Sequence, residues 1–512
     1  MADNSQSNKR IAKNTLMLYI RLFLIMGVNF YMSRIVLKIL GVEDLGIYNV
    51  VGGIVTMMTF LNSSLNITTQ RFLNYEMGKG RFENLNKIFS MSFWSYTIIA
   101  IVVLVVCESI GLWFFYEYLN IPENRLDAAF WVYQLSILTF IINLLTVPYT
   151  STIIAHERMN FYAYLSIGDV ILKLALLYVL SYINHDKLTF YAILMCAATL
   201  FIWLCNWIYC RMKFKECELN LMWDSATFKQ LLSFSTWNSV GAIASSVYEQ
   251  GVNILINIFF SSTLNGARAI AYQVKVAVNS FAANFLTAVR PQLFKSYAEG
   301  RLDYMNKLVF SSTKFSIYLL LIFILPILFN TRFILGIWLG EITPEMITFT
   351  QLVLISVPIS TCFPVLANVS QATGKIKGYQ LSAALLFIMI PVTTYILYKC
   401  GMAVEWAFIM TFIWDIIGLV VRLAILKKDI QFPIGKYIKK AILPPVLICM
   451  IVTFAIAYPI TFIGISGWKF LILSSGVIIA SILLCIWLIG LEKQEKQLIG
   501  AYIAKIIKHR KR

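Results

Sequence analysis

The stretch that decides the fold is residues 15–71, which read TLMLYIRLFLIMGVNFYMSRIVLKILGVEDLGIYNVVGGIVTMMTFLNSSLNITTQR. A membrane-spanning helix needs about 20 predominantly apolar residues. Two such runs, 15–37 and 46–69, lie on either side of the short segment 41–46. The stretch therefore predicts two membrane-spanning helices joined by a turn.

Both predicted helices carry polar side chains within their apolar runs. The polar residues are Arg21, Asn29 and Arg34 in the first helix, and Asn62, Asn66 and Gln70 in the second. The last three are one helical turn apart and share a face. Because the bilayer core contains no water, such groups are stable only against a protein interior or a wet cavity.

The composition of the whole chain agrees with a membrane protein. Its 512 residues are 59% hydrophobic and 13% charged, whereas soluble domains average roughly 45–50% apolar and about 25% charged residues. Apolar runs predict about fourteen spans. They lie near 15–37, 46–69, 88–115, 129–151, 161–183, 188–210, 231–259, 268–290, 308–331, 346–369, 379–399, 403–425, 441–461 and 468–490.

The net charge of +18 follows the membrane topology and does not indicate nucleic-acid binding. About 30 Lys and Arg residues lie at the N-terminus, in every second loop and in the tail, against about seven in the opposite loops, where we count Arg268. By the positive-inside rule, both termini are cytoplasmic. We read no cleavable signal peptide.

An internal repeat divides the chain into two halves. Residues 80–87 (GRFENLNK) match residues 300–307 (GRLDYMNK) at an offset of about 220. Residues 155–162 (AHERMNFY) lie opposite residues 372–379 (ATGKIKGY) in the next cytoplasmic loop. Six spans in each repeat give both halves the same orientation, with a central cleft between two lobes.

The repeat predicts four regions. They are a six-helix lobe (1–215), a second six-helix lobe (216–430), two additional transmembrane helices (431–490) and a basic amphipathic cytoplasmic tail (491–512). No loop is long enough for a soluble domain.

The polar residues that predict a cavity are concentrated in the leading helix pair of each half. The predicted cavity lining is Asn29, Asn62, Asn66, Gln70, Glu249, Asn253, Asn257 and Asn279. The predicted cationic anchors are Arg21, Arg34, Lys275 and Arg290. Salt bridges between the lobes are the alternative role for the charged members. Asp169 and Lys173, four residues apart on one helix, could simply pair.

An excess of cations over carboxylates favours an anionic ligand. Arginine suits diphosphate oxygens because its guanidinium offers planar bidentate donors. Glu249, Asp169 and Asp415 are the candidates for coupling to an ion such as H⁺ or Na⁺.

Other chemistries have little support in the sequence. With three histidines in the chain and no Cys-x-x-Cys pair, we expect no metal site. We also expect no cofactor, since no Walker phosphate loop is present. A membrane glycosyltransferase or polymerase is the alternative from another class. The acidic pair Glu43–Asp44 would be its only motif, and the chain offers no external domain for an acceptor. We therefore expect no enzyme.

Residues 40–48 (LGVEDLGIY), together with Arg34, resemble the first-hairpin signature of the bacterial polysaccharide-transporter flippases. These belong to the multidrug/oligosaccharidyl-lipid/polysaccharide (MOP) exporter superfamily. Residues 371–375 (QATGK) resemble a later cytoplasmic loop of that family, and the twelve-plus-two helix layout is similar throughout.

The resemblance implies an all-α polytopic membrane protein in which two parallel six-helix bundles form a V-shaped cavity. It also implies alternating-access flipping of undecaprenyl-diphosphate-linked oligosaccharide, such as O-antigen or capsule repeat units for polysaccharide or lipopolysaccharide biosynthesis. In that family cationic cavity residues contact the diphosphate, and Arg21, Arg34 and Lys275 match this role by position. The expected location is the bacterial inner membrane, next to polysaccharide-assembly membrane proteins. The alternatives within the fold are a multidrug or organic-cation antiporter and a peptidoglycan-precursor flippase.

Overall fold

The computed structural model describes residues 2–56, 58–118, 121–183, 185–220, 223–260, 262–340, 342–460, 467–493 and 495–497. In this part of the chain all regular structure is helical, without a strand. The predicted amphipathic tail lies mostly outside the described residues, and the Glu43 side chain of the acidic pair is also outside them.

Nineteen α-helices follow one another along the described chain. They are α1 Ala2–Thr56, α2 Thr59–Gly78, α3 Glu83–Val106, α4 Leu112–Tyr118, α5 Leu126–Ala155, α6 Met159–Ser181, α7 Lys187–Lys213, α8 Ser225–Phe259, α9 Ser262–Ala298, α10 Leu302–Phe329, α11 Thr331–Leu339, α12 Pro344–Ser360, α13 Cys362–Thr373, α14 Lys377–Lys399, α15 Trp406–Ile430, α16 Ile434–Tyr437, α17 Leu443–Val452, α18 Tyr458–Ile460 and α19 Gly467–Cys485.

Eleven helical stretches among the described residues are long and apolar enough to cross a membrane. The chain is therefore a polytopic helical membrane protein. The three predicted spans that are not among the eleven lie near 46–69, 231–259 and 268–290. They fall in α1–α2, α8 and α9, the polar leading helices of the two halves. Amide and charged side chains lower the hydropathy of α8 and α9, whereas the 46–69 run is divided between α1, which ends at Thr56, and α2, which begins at Thr59. The total of fourteen spans stays a prediction.

The predicted turn at 41–46 is shorter in the structure. Only Gly41 leaves helical geometry (φ 79°, ψ 178°), and the helix resumes directly after it. Asp44, just beyond this break, accepts hydrogen bonds from Arg125, with 2.9 Å between Nε and Oδ1. Arg125 also donates from Nη1 to Asp186 Oδ1 over 2.8 Å. Arg125 is the N-cap of α5 and Asp186 is the N-cap of α7. The cluster therefore connects the break in α1 to the starts of α5 and α7.

The described chain forms two compact units. Unit 1 contains residues 1–243, 287–302 and 371–381, and unit 2 contains residues 244–286, 303–370 and 382–512. In unit 1, Ile47, Val51 and Val55 pack in a core with α2, α3 and α5. In unit 2, α17 and α19 pack against α10 through Ile448 and Ile478. The predicted boundaries at 215/216 and 430/431 stay predictions.

The backbone reproduces the predicted repeat at two pairs of loop positions. Gly80 and Gly300, which are equivalent in the first match, have φ of 71° and 75°. Glu157 and Gly374, which are equivalent in the second match, have φ of 58° and 78°. Non-glycine residues rarely adopt this left-handed region. Similar φ values at equivalent positions indicate that the two members of each match have a similar backbone at this point of the loop.

Within unit 1, each of the second-match loops packs against a helix end from the other half of the sequence. Glu157 accepts hydrogen bonds from Gln292 and Lys295 at the end of α9. In the equivalent loop, the Gln371 carbonyl accepts a hydrogen bond from Arg71 Nε, near the end of α2, over 3.3 Å. The repeat therefore produces two related contacts in one unit.

We predict that Gly374→Ala destabilises the protein more than Gly80→Ala. Both substitutions force alanine into a left-handed conformation, at a cost of about 1–2 kcal/mol. Only at Gly374 would the new Cβ also approach Arg71, to 2.7 Å from Nη2, whereas nothing lies within 4 Å at Gly80. Arg71 cannot easily move because it donates to Gln371 and stacks on Phe234.

Thermal unfolding of the detergent-purified protein measures this difference. The midpoint should fall for both variants and fall further for Gly374→Ala, by the equivalent of about 1 kcal/mol more. Equal midpoints for the two variants would contradict the contact with Arg71.

We also predict that Asp186 stabilises the fold in a pH-dependent way. Burial alone raises the pKa of Asp186, but hydrogen bonds from Thr189 and Arg125 favour its charged form and bring the pKa below the ordinary value. A lowered folded-state pKa gives stability that is present above the unfolded pKa of about 3.9 and is lost as the pH falls through the folded pKa.

The Asp186→Asn variant tests this sign. Its unfolding midpoint should lie below that of the wild type at pH 7, and the gap should narrow as the pH falls below about 4. Glu123→Gln, at an exposed carboxylate, is the matched control and should show a smaller gap. A gap for Asp186→Asn that stays constant down to pH 3 would show that its charge does not stabilise the fold.

Candidate functional site

A cavity of about 350 Å³ lies within unit 1 and collects polar residues from four helices. Its polar lining includes Arg21, Asn29, Tyr162, Asp169, Lys173 and Asn206. We call it the Arg21 cavity. Three of these residues, Arg21, Asn29 and Asp169, are predicted site residues, and Lys173 is the predicted helix partner of Asp169.

Helical spacing explains how α1 contributes to the cavity. Arg21, Ile25 and Asn29 are four residues apart and therefore follow one face. The neighbouring Leu16 and Phe23 are exposed, as lipid-facing side chains of a membrane helix would be. The Arg21 guanidinium carbon lies 4.7 Å from the centroid of the Tyr162 ring. This cation–π contact holds the cation against an aromatic wall of α6.

On α6, Asp169 and Lys173 form an ion pair across one helical turn, with 2.9 Å between Oδ2 and Nζ. The pairing of Asp169 with Lys173 that their spacing predicts is therefore confirmed. It uses one carboxylate oxygen, while Asp169 Oδ1 is buried and accepts no hydrogen bond from a described residue. The Asp169 carboxylate therefore neutralises the charge of Lys173 within the cavity. Because Arg21 adds a second cation, the lining has an excess of positive charge.

Asn206 is a cavity residue that the sequence reading missed. It is 1% exposed, and its Nδ2 donates to the Ile202 carbonyl over 2.8 Å. Its Oδ1 is buried and accepts no hydrogen bond within the described part of the chain. A lone asparagine in the middle of the apolar helix α7 was the available signal. Its free acceptor suits a ligand that brings a hydroxyl donor.

The predicted polar stripe of α2 reaches the cavity indirectly. Asn66 donates from Nδ2 to Thr150 Oγ1 over 3.3 Å, and Thr150 lines the cavity. Gln70 is buried and donates to Asn66. Asn62 is half-buried, and its Oδ1 has no hydrogen-bond partner among the described residues. Asn66 and Gln70 therefore contact the cavity through the hydrogen bond to Thr150.

Two further predicted cations, Arg290 and Arg34, belong to unit 1, and they differ in their position relative to the Arg21 cavity. Near Arg290, Ala288 packs in a cluster that includes Leu18 and Tyr162, and Arg290 interacts electrostatically with Tyr162. This places Arg290 beside the Arg21 cavity. Arg34 is exposed and does not line that cavity. Thirteen residues of helix separate it from Arg21, which is about 20 Å along the axis.

The remaining predicted residues lie in unit 2. Buried Asp415 interacts electrostatically with Lys275 and Arg422, and Lys275 Nζ lies 5.1 Å from the Tyr272 ring centroid. Asn279 is half-buried. A common site for Lys275 and Arg21 stays a prediction.

The three predicted cavity residues on α8 differ in exposure. Asn253 is half-buried and accepts a hydrogen bond from Arg268, while Glu249 and Asn257 are exposed. Arg268, which we count with the loop cations, is also the first residue of the predicted span 268–290. It lies within α9, is 3% exposed and stacks on Tyr272 at 4.1 Å from the ring centroid. Asn253, on another helix, accepts one hydrogen bond from Arg268, whereas Arg268 Nε and Nη2 are buried without a hydrogen-bond partner among the described residues. Hydropathy along a single helix does not register a contact with another helix.

Within the described residues, no three His, Cys, Asp or Glu side chains group as metal ligands would. The chemistry of the Arg21 cavity is therefore that of guanidinium, ammonium, carboxylate, amide and hydroxyl groups. Such a set can bind an anionic, hydroxyl-bearing ligand through charge-assisted hydrogen bonds.

No family model and no curated protein matches this sequence. Solved structures do match. A MATE transporter in a straight conformation is 12% identical over 82% of this chain and 97% of its own, with a TM-score of 0.71. A MOP-superfamily transporter from Pyrococcus furiosus, described as having a binding pocket of reverse polarity, is 11% identical over 81% and 94%, with a TM-score of 0.68.

A MATE transporter from Vibrio cholerae is 14% identical over 84% of this chain and all of its own, with a TM-score of 0.64. At these identities the likeness establishes the fold. It confirms the predicted all-α polytopic architecture with two repeats. The chain has the fold of the MATE transporters of the MOP superfamily.

Proposed function

We propose that this chain is a flippase that carries undecaprenyl-diphosphate-linked oligosaccharide from the cytoplasmic to the outer leaflet by alternating access. The observation that carries the proposal is the Arg21 cavity, where a guanidinium and an ammonium outnumber one carboxylate. The MOP-type fold supports an exporter. The proposed location is the bacterial inner membrane with both termini in the cytoplasm, beside polysaccharide-assembly membrane proteins.

Arg21 binds the diphosphate in this proposal. Its planar donors match two phosphate oxygens, and its stacking on Tyr162 limits the freedom it loses on binding. Lys173 supplies a second cation, held in position by Asp169. Arg290, beside Tyr162, adds a third positive charge near the cavity. Lys275 and Arg34 are proposed to contact the diphosphate at other stages of transport.

The sugar hydroxyls meet acceptors in the same cavity. Asn206 Oδ1 and Asp169 Oδ1 are both buried without a hydrogen-bond partner among the described residues. A buried acceptor without a donor costs about 1–3 kcal/mol, so a ligand that supplies hydroxyl donors binds in preference to one that does not. The polyprenyl tail stays in lipid. An ion gradient drives the cycle, with Asp169, Glu249 or Asp415 as the coupling carboxylate.

A multidrug antiporter is the second candidate. The matching structures include one of a multidrug-resistance MATE transporter in an outward-facing conformation, and Asp169 could receive an organic cation. The charge balance of the Arg21 cavity disfavours this function, because Lys173 already holds Asp169. For the Pyrococcus furiosus transporter, too, pocket polarity is described as indicating a different function.

Proteoliposome flipping of a fluorescent undecaprenyl-diphosphate oligosaccharide tests the proposal. Arg21→Gln should slow flipping about 10- to 100-fold, because it removes a charge-assisted contact of about 1.5–3 kcal/mol. Lys38→Gln, which removes an exposed cation from the same helix, is the matched control and should flip at the wild-type rate. The flipping rate of Arg34→Gln shows whether Arg34, a predicted cationic anchor, contributes to transport.

Two results would contradict the proposal. In one, wild-type protein moves no lipid-linked oligosaccharide but exports an organic cation such as ethidium, which would favour the antiporter. In the other, Arg21→Gln folds and flips at the wild-type rate, which would remove the Arg21 cavity from the transport path.

A further inference from the structure

A second cavity, of about 570 Å³, lies within unit 1 and has a different composition. Its walls include Arg10, Lys13, Arg158, Phe161, Tyr164 and Tyr209. We call it the basic pocket. None of the predicted site residues lines it, and neither the resemblance nor the proposed function assigns it a role.

The positive charge of the basic pocket is not balanced by nearby acids. Arg10, Lys13 and Arg158 are exposed, and none of them pairs with a carboxylate in the part of the chain that the structure describes. Glu157 also lines the pocket, but its Oε1 already accepts from Gln292 Nε2 at 2.5 Å and Lys295 Nζ at 3.1 Å. His156 pairs with Glu216. Three cations therefore remain for an anionic ligand.

The pocket also has an aromatic wall. The Phe161 and Tyr209 rings stack with centroids 3.5 Å apart and an angle of 8° between their planes. Tyr164, on the same helix as Phe161, is exposed. A flat aromatic surface beside three cations suits a ligand with a phosphate group and an adjoining hydrocarbon or sugar.

The pocket lies at the ends of candidate membrane spans, which is the level expected of lipid head groups. Two candidate spans begin beside it, one at Arg10 and one at Met159, and a third ends close by at Lys213. Basic residues at span ends interact with phosphate at the membrane surface. A lipid head group reaches this level while its tail remains in the bilayer, which favours a lipid over a soluble anion.

The basic pocket lies along the same three helices as the Arg21 cavity. On α1, Arg10 and Arg21 are eleven residues apart, so they share a face three turns and about 17 Å apart. On α6, Phe161 lines the basic pocket and Tyr162 lines the Arg21 cavity. On α7, Tyr209 and Asn206 are one turn apart. The two cavities therefore neighbour one another on these three helices.

We propose that the basic pocket binds the phosphate-bearing head group of a membrane lipid and serves as the docking site from which the lipid-linked substrate enters the Arg21 cavity. The docking role rests on the proposed function. Arg10, Lys13 and Arg158 bind the phosphate oxygens, and the Phe161–Tyr209 stack lies against the adjoining part of the ligand.

Native mass spectrometry of the full-length protein tests binding directly. The probes are undecaprenyl diphosphate, dioleoyl phosphatidic acid, dioleoyl phosphatidylcholine and inorganic diphosphate. The pocket variant combines Arg10→Gln, Lys13→Gln and Arg158→Gln. The control variant combines Lys427→Gln, Lys428→Gln and Lys436→Gln, which removes the same charge at exposed positions in unit 2. Equal unfolding midpoints establish that both variants are folded.

We expect the affinity for undecaprenyl diphosphate to fall about tenfold or more in the pocket variant and to stay unchanged in the control variant. Equal affinity in both variants would overturn the site. Inorganic diphosphate bound as tightly as the lipid would identify a soluble-anion site, and phosphatidic acid bound as tightly would identify a general lipid site. Either result would overturn the docking role.

Flipping kinetics separate this inference from the proposed function. The pocket variant should raise the lipid concentration at half-maximal rate about tenfold and leave the maximal rate unchanged, because docking precedes translocation. A lower maximal rate with unchanged half-saturation would overturn the docking role. Wild-type protein that binds the lipid through this pocket but flips none would contradict the proposed function and leave the binding site standing.

Discussion

The structure depends on one constraint, which is that a polar side chain in the hydrocarbon region needs a partner or a cavity. Several polar groups in the described helices have such partners. Arg268 bonds Asn253 and stacks on Tyr272, and Asp169 pairs with Lys173. Among the buried polar atoms without a hydrogen-bond partner in the described residues, Asn206 Oδ1 and Asp169 Oδ1 belong to residues that line the same cavity. Buried acceptors without a hydrogen-bond partner in one cavity indicate where a ligand could donate hydrogen bonds.

The repeat adds a second constraint, since two copies of one loop structure meet within one unit. Gly78 and Ala298 are equivalent at the offset of 220, and a Cβ on Gly78 would lie 2.6 Å from the Ala298 Cβ. Glycine is therefore required where the two equivalent helix ends meet. The loops after α5 and α13 pack on the helix ends of the opposite half. Duplication thus accounts for the inclusion of residues 287–302 and 371–381 in unit 1.

The sequence predicted the fold class well, because apolar run length and charge bias report directly on the bilayer. It also predicted Arg21 and Asn29 as cavity residues and the pairing of Asp169 with Lys173. It missed Asn206 and Tyr162, whose roles depend on neighbours from other helices. It counted Arg268 with the loop cations at the start of the span 268–290, because hydropathy along one helix does not register the contact with Asn253 on another. Spacing within a helix is readable from sequence, whereas contacts between helices are not.

We propose that Arg21 and its neighbours bind the diphosphate of a lipid-linked oligosaccharide. An experimental structure of the protein with that lipid bound in nanodiscs tests this most directly. We expect diphosphate density within hydrogen-bonding distance of the Arg21 guanidinium, with sugar density against Asn206. Diphosphate density remote from Arg21, or an organic cation seated on Asp169 in a protein that does not bind the lipid, would contradict it.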